Sequence, residues 1–585
     1  MPVILMNRRK IAAGISALGL CLAPLTLATV ACAEQEAPLN TAQCKALTGT
    51  TIPAAKILLP TSGARITKAS LVVANMQGPA QPDYCLVAGQ IAPVDASAPD
   101  IEFNVALPAN WNGKAFMLGG GGFDGFIPPV TGGPLNTGGG PAPLARGYAV
   151  FSSDSGHRSK GPPLALDGSF ALNREAFLNW QGDALKKTHD VALAVILQAY
   201  GRRPTVAYFA GGSGGGRQAL QVAARWPADW DAVIALYPAR NGLLVGLEAL
   251  RNSQALAAPG AYLSPAKRAL LYQAALERCD GLDGLKDGVI SDVRGCHAVF
   301  DPATAKLDGV PLRCPGGDIG PTCLSDRELV ALRVIDRPSP LPFPLATGDA
   351  YIPGFNVYTS DTGRPPTSPV QAAATFFAFG TAQPSTPPGA GMPFFFNIAD
   401  QVIRYMVTQD PAFDPLKFDI DHPGRYAARL RELSQLDARD LALSGFARKG
   451  GKILILQGTD DMEVSPRATE AYYAQLSGSL GEATVARMIR FYEVPGFAHT
   501  VSTIFNVKWD PVSAVEGWVE HGVDPADSLV VTDTTGLPGR CGPSAAIPSG
   551  PGTRVAMSTP RRPLSARIIR NDEEQSPCLG TRPRG

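Results

Sequence analysis

Charge is scarce in this chain, and neither sign prevails. Among 585 residues, 52 Lys and Arg stand against 51 Asp and Glu, a net charge of +1, and charged residues make up only 18%. Soluble domains usually carry ~25%. No basic run relieves the balance, which excludes nucleic acid as a partner. There is no heptad pattern, no G-X-Y period and no solenoid repeat, so a coiled coil, a collagen and a repeat array are excluded as well. Beyond the first thirty or so residues no apolar run approaches the ~20 residues that a membrane-spanning helix needs. Histidine is also scarce, with six in all.

What is abundant points elsewhere. Hydrophobic residues make up 45% of the chain, enough for a large core, and the 62 glycines and 53 prolines imply many turns and long connections. The length is that of about two to four structural units at roughly 100–200 residues each. Ten cysteines are many for a cytosolic enzyme and suit an exported one.

The N-terminus agrees with export. Arg8, Arg9 and Lys10 precede an apolar stretch from Ile11 to Ala31, broken by Pro24, and Ala31-Cys32-Ala33 is a small-x-small cleavage site. Residues 1–33 are therefore expected to be a removed signal peptide and the mature protein to be secreted or periplasmic. The alternatives are an uncleaved anchor, or lipid attachment at Cys32, since Thr29-Val30-Ala31-Cys32 loosely fits a lipobox. Without Cys21 and Cys32, eight cysteines remain, which reads as four disulfides in an oxidising compartment. Pairing between neighbours is the simplest arrangement, although sequence alone leaves the connectivity open.

Along the chain, short apolar runs lead repeatedly into glycine-rich turns. AFML (Ala115–Leu118) enters GGGGFDG, YAVF (Tyr148–Phe151) enters SSDSGH, and VAYFA (Val206–Ala210) enters GGSGGG. ILIL (Ile453–Leu456) enters QGTDD, and IRFYEV (Ile489–Val494) ends at PGFAHT. Helix-like stretches lie between some of them, at Asp183–Ala199 and Arg217–Trp226. Repetition of strand, loop and helix predicts an α/β fold with a mainly parallel sheet, whose reactive end is the C-terminal end of its strands. Residues 242–445 lack this alternation and are rich in Pro, Gly and aromatics. The expected organisation is one α/β core, 34–241 and 446–585, split by a large insertion at 242–445.

Gly211-Gly212-Ser213-Gly214-Gly215 fits G-x-S-x-G between a strand-like and a helix-like segment. A nucleophile elbow strains its serine at such a turn, needs small residues two before and two after it, and points the following N–H, here that of Gly214, at a developing oxyanion. A serine nucleophile needs a base on a loop after a late strand, and His499 in VPGFAHT meets that demand. The acid should follow the preceding strand. In ILILQGTDDMEVSP the spacing G-x-x-D-x-x-V-x-P selects Asp461 and leaves Asp460 as a turn former. The order Ser213, Asp461, His499 is the one this fold uses.

These segments together resemble the tannase/feruloyl esterase family, which includes a hydrolase of mono(hydroxyethyl) terephthalate. The likeness rests on YFAGGSGGGRQALQVAARWPADWDAVIALYPA and extends to FMLGGGGFDG, SSDSGH, FALNREAF, the acid loop and GFAHT. It implies an α/β-hydrolase core with a large lid over the site, and an oxyanion hole from Gly214 and Gly122. CDGLDGLKDGVISD is similar to the family's lid calcium site. It would carry a structural Ca2+ on the carboxylates of Asp280, Asp283 and Asp287 and the carbonyls of Leu285 and Val289, an all-oxygen set that suits a hard cation. The implied disulfides are Cys44–Cys85, Cys279–Cys296, Cys314–Cys323 and Cys541–Cys578. The chain departs from the family at one point: the cysteines that flank the nucleophile and the histidine there, bonded to each other, are replaced here by Gly212 and Thr500.

The reading that follows is a secreted serine carboxylic ester hydrolase. It would act on a small-molecule ester with an aromatic, feruloyl- or galloyl-like acyl group, with lid residues around Phe394–Tyr405 lining the acyl pocket. The alternatives are hydrolysis of aliphatic esters or peptides on the same scaffold, and a non-catalytic, calcium-stabilised binding protein.

Overall fold

The computed structural model describes residues 39–74, 81–134, 139–160, 166–360, 362–363, 379–533 and 541–546. The expected signal peptide, with Cys32, and Cys578 of the expected Cys541–Cys578 bridge lie outside them. The described residues, from Leu39 onward, form one compact unit.

Its frame is a thirteen-stranded sheet. In chain order the strands are β1 (Thr51–Ile52), β2 (Gly63–Val72), β3 (Tyr84–Ala92), β4 (Ile101–Pro108), β5 (Lys114–Leu118), β6 (Ala149–Ser153) and β7 (Val206–Gly212). They continue as β8 (Ala232–Leu236), β9 (Lys452–Gly458), β10 (Ile489–Val494), β11 (Val507–Lys508), β12 (Ser528–Asp533) and β13 (Cys541–Ala546). Across the sheet the order is β1-β2-β3-β4-β6-β5-β7-β8-β9-β10-β13-β12-β11. The six strands from β6 to β10 are parallel, and both flanks are antiparallel. The expected α/β class is the one observed.

The parallel strands are predominantly apolar because both faces of the sheet are covered. Alternate residues enter two cores. Phe209, Val233 and Ile455 pack on one face, while Tyr208, Ile234 and Leu454 pack on the other. The second core continues into the inserted segment through Leu247, Phe355, Phe395 and Ile403. Each such fully buried side chain contributes about 1.5–3 kcal/mol of apolar burial.

The helices that matter for the site are α1 (Ala184–Tyr200), α2 (Gly214–Arg225), α3 (Gly242–Ala257), α4 (Pro265–Cys279), α5 (Phe394–Gln401) and α6 (Pro466–Leu480). Helix α2 begins three residues before the Arg217 expected from sequence. Its first turn is all glycine, poor helix material, for a packing reason: a Cβ on Gly215 would lie 2.5 Å from the Gly120 carbonyl, and one on Gly216 2.6 Å from that of Leu236.

The chain leaves the sheet after β8 and returns at β9, which pairs with β8 in parallel. The intervening segment carries α3, α4 and α5. Three disulfides form as the resemblance implied, Cys44–Cys85, Cys279–Cys296 and Cys314–Cys323. Among the described residues no helix is long and apolar enough to cross a membrane.

Candidate active site

The loops leaving β5, β7, β9 and β10 all emerge at the C-terminal end of the parallel strands, and all four carry residues singled out from sequence. Ser213 sits between β7 and α2 at φ 58°, ψ −120°, a strained conformation for a residue with a side chain and the one a nucleophile elbow imposes. Backbone bonds enforce it. The Ser213 N–H donates to the Leu236 carbonyl at 3.0 Å, and the Ser213 carbonyl accepts from Ala239 N–H at 3.1 Å and Arg217 N–H at 3.0 Å.

On the loop after β9, Asp461 is fully buried and well held. Its Oδ1 accepts from the N–H groups of Glu463 (2.8 Å) and Val464 (2.9 Å), and its Oδ2 from the Gln457 amide at 2.9 Å. The same Oδ2 lies 2.8 Å from His499 Nδ1. Asp460 turns away and accepts from the Thr459 hydroxyl, so the carboxylate beside the imidazole belongs to Asp461. The other histidines lie elsewhere: His157 stacks on Phe170 at 3.9 Å, His189 contacts Asp190, His297 contacts Asp336, and His422 and His521 are exposed.

The imidazole has a second carboxylate that sequence reasoning missed. Glu463 Oε2 lies 3.7 Å from His499 Nε2. Burial pulls the His499 pKa down, but the charges of Asp461 and Glu463 outweigh it and raise the pKa to about 9. Burial, with Asp461 adding to it, pushes Glu463 up to about 7. Glu463 was hidden because one acidic residue in a polar turn carries no periodic signal.

The expected oxyanion donors are neighbours. Gly122 adopts φ +57°, and a Cβ on Gly214 would lie 2.7 Å from the Gly122 carbonyl oxygen and 3.4 Å from its nitrogen. The glycine loop is pinned from behind. Gly120 N–H donates to Gln218 Oε1 at 3.0 Å, and the Gln218 amide donates to Asp124 at 2.8 Å. Asp124 is buried, and that burial raises its pKa to about 6. Gly214 also opens α2, whose aligned peptide dipoles favour negative charge at that end.

Ser213 opens into a cleft of about 520 Å3, with Phe123, Leu166, Trp180, Phe394 and Ile398 among its walls. Phe394, Ile398 and Val402 come from one face of the FFFNIADQVIRY stretch, whereas Phe395, Phe396 and Ile403 are buried in the core. A smaller polar cavity, about 370 Å3, lies beside His499 and is lined by Ser360, Thr362, Asp460 and Ser502 among others. Glu463 borders both.

In the expected calcium loop, Asp280 Oδ1 accepts from the N–H groups of Asp287 (3.2 Å) and Gly288 (3.0 Å), Asp283 Oδ1 from Leu285 N–H, and Asp287 Oδ1 from Val289 N–H. The loop is thus curled by its own carboxylates, and Asp283 Oδ2 is a buried oxygen with no hydrogen-bond partner among the described residues. Among the described residues no three His, Cys, Asp or Glu side chains converge as a ready metal cluster.

Comparison with known proteins adds the following. Residues 85–553 match the family model described as tannase and feruloyl esterase. An uncharacterized esterase of Agrobacterium fabrum is 36% identical over 88% of this chain and 91% of that protein. The mono(2-hydroxyethyl) terephthalate hydrolase of Piscinibacter sakaiensis is 29% identical over 81% of each chain. The crystal structure of feruloyl esterase B from Aspergillus oryzae superposes with a TM-score of 0.67 at 20% identity, covering 90% of this chain and all of the other.

Proposed function

Because the chain belongs to the tannase and feruloyl esterase family, and is therefore a carboxylic ester hydrolase, we propose that it cleaves esters of aromatic acids through Ser213, His499 and Asp461 after export from the cytoplasm. The observation that carries this reading is the buried 2.8 Å contact between Asp461 and His499 Nδ1, on loops that emerge at the same sheet end as the strained Ser213 elbow. The three disulfides support an oxidising compartment.

In this reading His499 Nε2 takes the Ser213 proton as Oγ attacks the ester carbonyl. Asp461 holds the Nδ1–H tautomer and stabilises the imidazolium. Charge that develops on the carbonyl oxygen faces the N–H groups of Gly122 and Gly214 at the start of α2. Collapse of the tetrahedral intermediate transfers the proton from Nε2 to the departing alcohol. Water then enters, gives its proton to Nε2, and frees the acid by the reverse path. The alcohol must therefore leave beside Nε2, next to Glu463 and the polar cavity, while the acyl group occupies the apolar cleft. Trp180, Phe394 and Phe123 give that cleft flat apolar surfaces suited to an aromatic ring.

The calcium loop fits a cation in one respect, the orphaned Asp283 oxygen, and its donors are all oxygen. Asp280, Asp283 and Asp287, with the carbonyls of Leu285 and Val289, would hold Ca2+. Its contribution when bound would be to brace the loop closed by Cys279–Cys296.

The test is hydrolysis of methyl ferulate, methyl gallate and short aliphatic esters by the wild type and by Ser213→Ala, with fluorophosphonate labelling in parallel. Turnover of the aromatic esters and labelling of Ser213, both lost in the variant, are expected. Preference for aliphatic esters would overturn the acyl assignment, and labelling that survives Ser213→Ala would overturn the nucleophile.

A further inference from the structure

Strand β8 lies next to β7, and the four residues that leave it, Leu236 to Ala239, bracket the elbow. The Leu236 carbonyl accepts from Ser213 N–H and the Ala239 N–H donates to the Ser213 carbonyl, so this segment's backbone fixes the nucleophile's position. Its one large side chain is Tyr237, which is 1% exposed. Tyr237 takes φ +34°, a region costly for a bulky residue, and its N–H donates to the Leu456 carbonyl of β9.

Beside the phenol ring is Gly212, the residue before Ser213, where a Cβ would lie 2.7 Å from Tyr237 Cε2 and 2.8 Å from its hydroxyl oxygen. Gly212 has ordinary strand backbone, so its own conformation does not demand glycine; the tyrosine ring does. The same ring's centroid is 4.5 Å from that of His499, inclined by 53°, and 6.2 Å from Phe497. One buried ring thus touches both the strand end that presents Ser213 and the imidazole.

We propose that Tyr237 is the positioning residue that keeps His499 in register with Ser213, as a wedge between Gly212 and the imidazole where no covalent tie joins the two loops. The proposal rests on the reading of Ser213 and His499 as nucleophile and base. Physically, a histidine on a loop needs a fixed ring plane to take a proton from a serine on another loop, and Asp461 fixes only its Nδ1 edge. The tilted aromatic contact restricts rotation about that edge. Gly212 is its counterpart: a side chain there would push the ring onto the imidazole.

The experiment is a double-mutant cycle with Tyr237→Ala, Gly212→Ala and the pair, with Tyr237→Phe as the conservative variant, each assayed on an aryl ester at a temperature well below its melting point. Tyr237→Ala is expected to lower kcat by about 10–100-fold, the usual cost of a misplaced catalytic group, with KM changed by less than about threefold. Tyr237→Phe keeps most of the activity. Gly212→Ala alone lowers kcat, but its effect shrinks when Tyr237 is already Ala, because the clash has gone. Wild-type kcat in a folded Tyr237→Ala protein, or effects of the two substitutions that simply multiply, overturns the proposal. If Tyr237→Ala does not fold, the outcome rests on Tyr237→Phe and Gly212→Ala: undiminished kcat in Gly212→Ala overturns it. Wild-type protein that fluorophosphonate fails to label at Ser213 would instead sink the underlying triad reading, so the two failures are separable.

Discussion

Replacing Glu463 by Gln tests the electrostatics of the site directly. The Glu463 carboxylate stands 3.7 Å from His499 Nε2, the nitrogen that, in the proposed mechanism, must be free of its proton to activate Ser213. Two unit charges about 4 Å apart interact by about 1 kcal/mol in water and about 4 kcal/mol at the effective dielectric of a protein surface. The pair is buried but borders two cavities, so the value lies between these limits, which corresponds to about 1–3 pH units. The sign is fixed by which form is favoured. Glu463 and Asp461 raise the His499 pKa to about 9, so below that pH the imidazole is protonated and cannot accept from Ser213. In the wild type kcat/KM should therefore climb with pH toward about 9. The climb should be shallow, because Glu463 itself titrates near 7 and the two groups release protons as a pair. In Glu463→Gln the charge is gone while Asp461 remains. The rising limb should move to lower pH by about 1–3 units and steepen, and activity at neutral pH should increase. The assay is kcat/KM on p-nitrophenyl acetate from roughly pH 5 to 10, corrected for spontaneous hydrolysis. A limb that stays in place, or moves to higher pH, would refute the assignment of Glu463 as a charged neighbour of Nε2.

Two further predictions concern stability. If the Asp280–Val289 loop holds calcium, EGTA should lower the melting temperature by a few degrees, since a ligand at about a hundred times its Kd adds ~2.7 kcal/mol. Asp283→Asn should remove that sensitivity, and identical melting with EGTA and with excess Ca2+ would dismiss the site. Cys44–Cys85 closes a separation of 41 residues, a loop for which chain entropy gives about 4 kcal/mol. Replacing both cysteines by Ala should lower stability to urea by an amount of that order and leave kcat intact. An unchanged midpoint would mean that the bridge contributes nothing.

How much of this was legible in sequence depended on whether a residue's role was local. The runs VAYFA and ILIL read as strands because the central strands are buried on both faces, which makes them continuously apolar, and IRFYEV is interrupted only by Arg490 and Glu493. Ser213 announced itself because strain at the elbow forces glycine around it. Asp461 could be told from Asp460 because the turn after β9 has a fixed spacing. The antiparallel flank from β1 to β4 did not stand out. In GARITKASLV (β2) only Gly63, Ala64, Ile66 and Ala69 are buried, a pattern too irregular to separate from a loop. Tyr237 and Glu463 were invisible for a different reason. ALYP looks like the end of any strand, and MEV like any turn. Their parts arise only when β8 is set beside β7 and the loops after β9 and β10 meet, which no local pattern encodes.

The insertion shows the same distinction between sequence boundary and mechanical unit. Residues 242–445 differ in composition from what surrounds them, yet several of their contacts with the core fall on the loop of Asp461. The Asn356 amide donates to the Thr459 carbonyl at 2.9 Å, the Ser360 hydroxyl donates to the Asp460 carbonyl at 3.1 Å, and Ser465 at the start of α6 donates to the Gly354 carbonyl. Arg467 reaches back from α6 to Asn356 at 2.9 Å. Thr459 and Asp460 immediately precede Asp461, so these bonds satisfy backbone groups that the turn cannot satisfy itself. A second attachment lies at the histidine loop, where a Cβ on Gly496 would come within 3.0 Å of Val289 Cγ1, part of the expected calcium loop. In the proposed reading, the segment that walls the cleft with Phe394 and Ile398 therefore also holds the loops that carry the acid and the base.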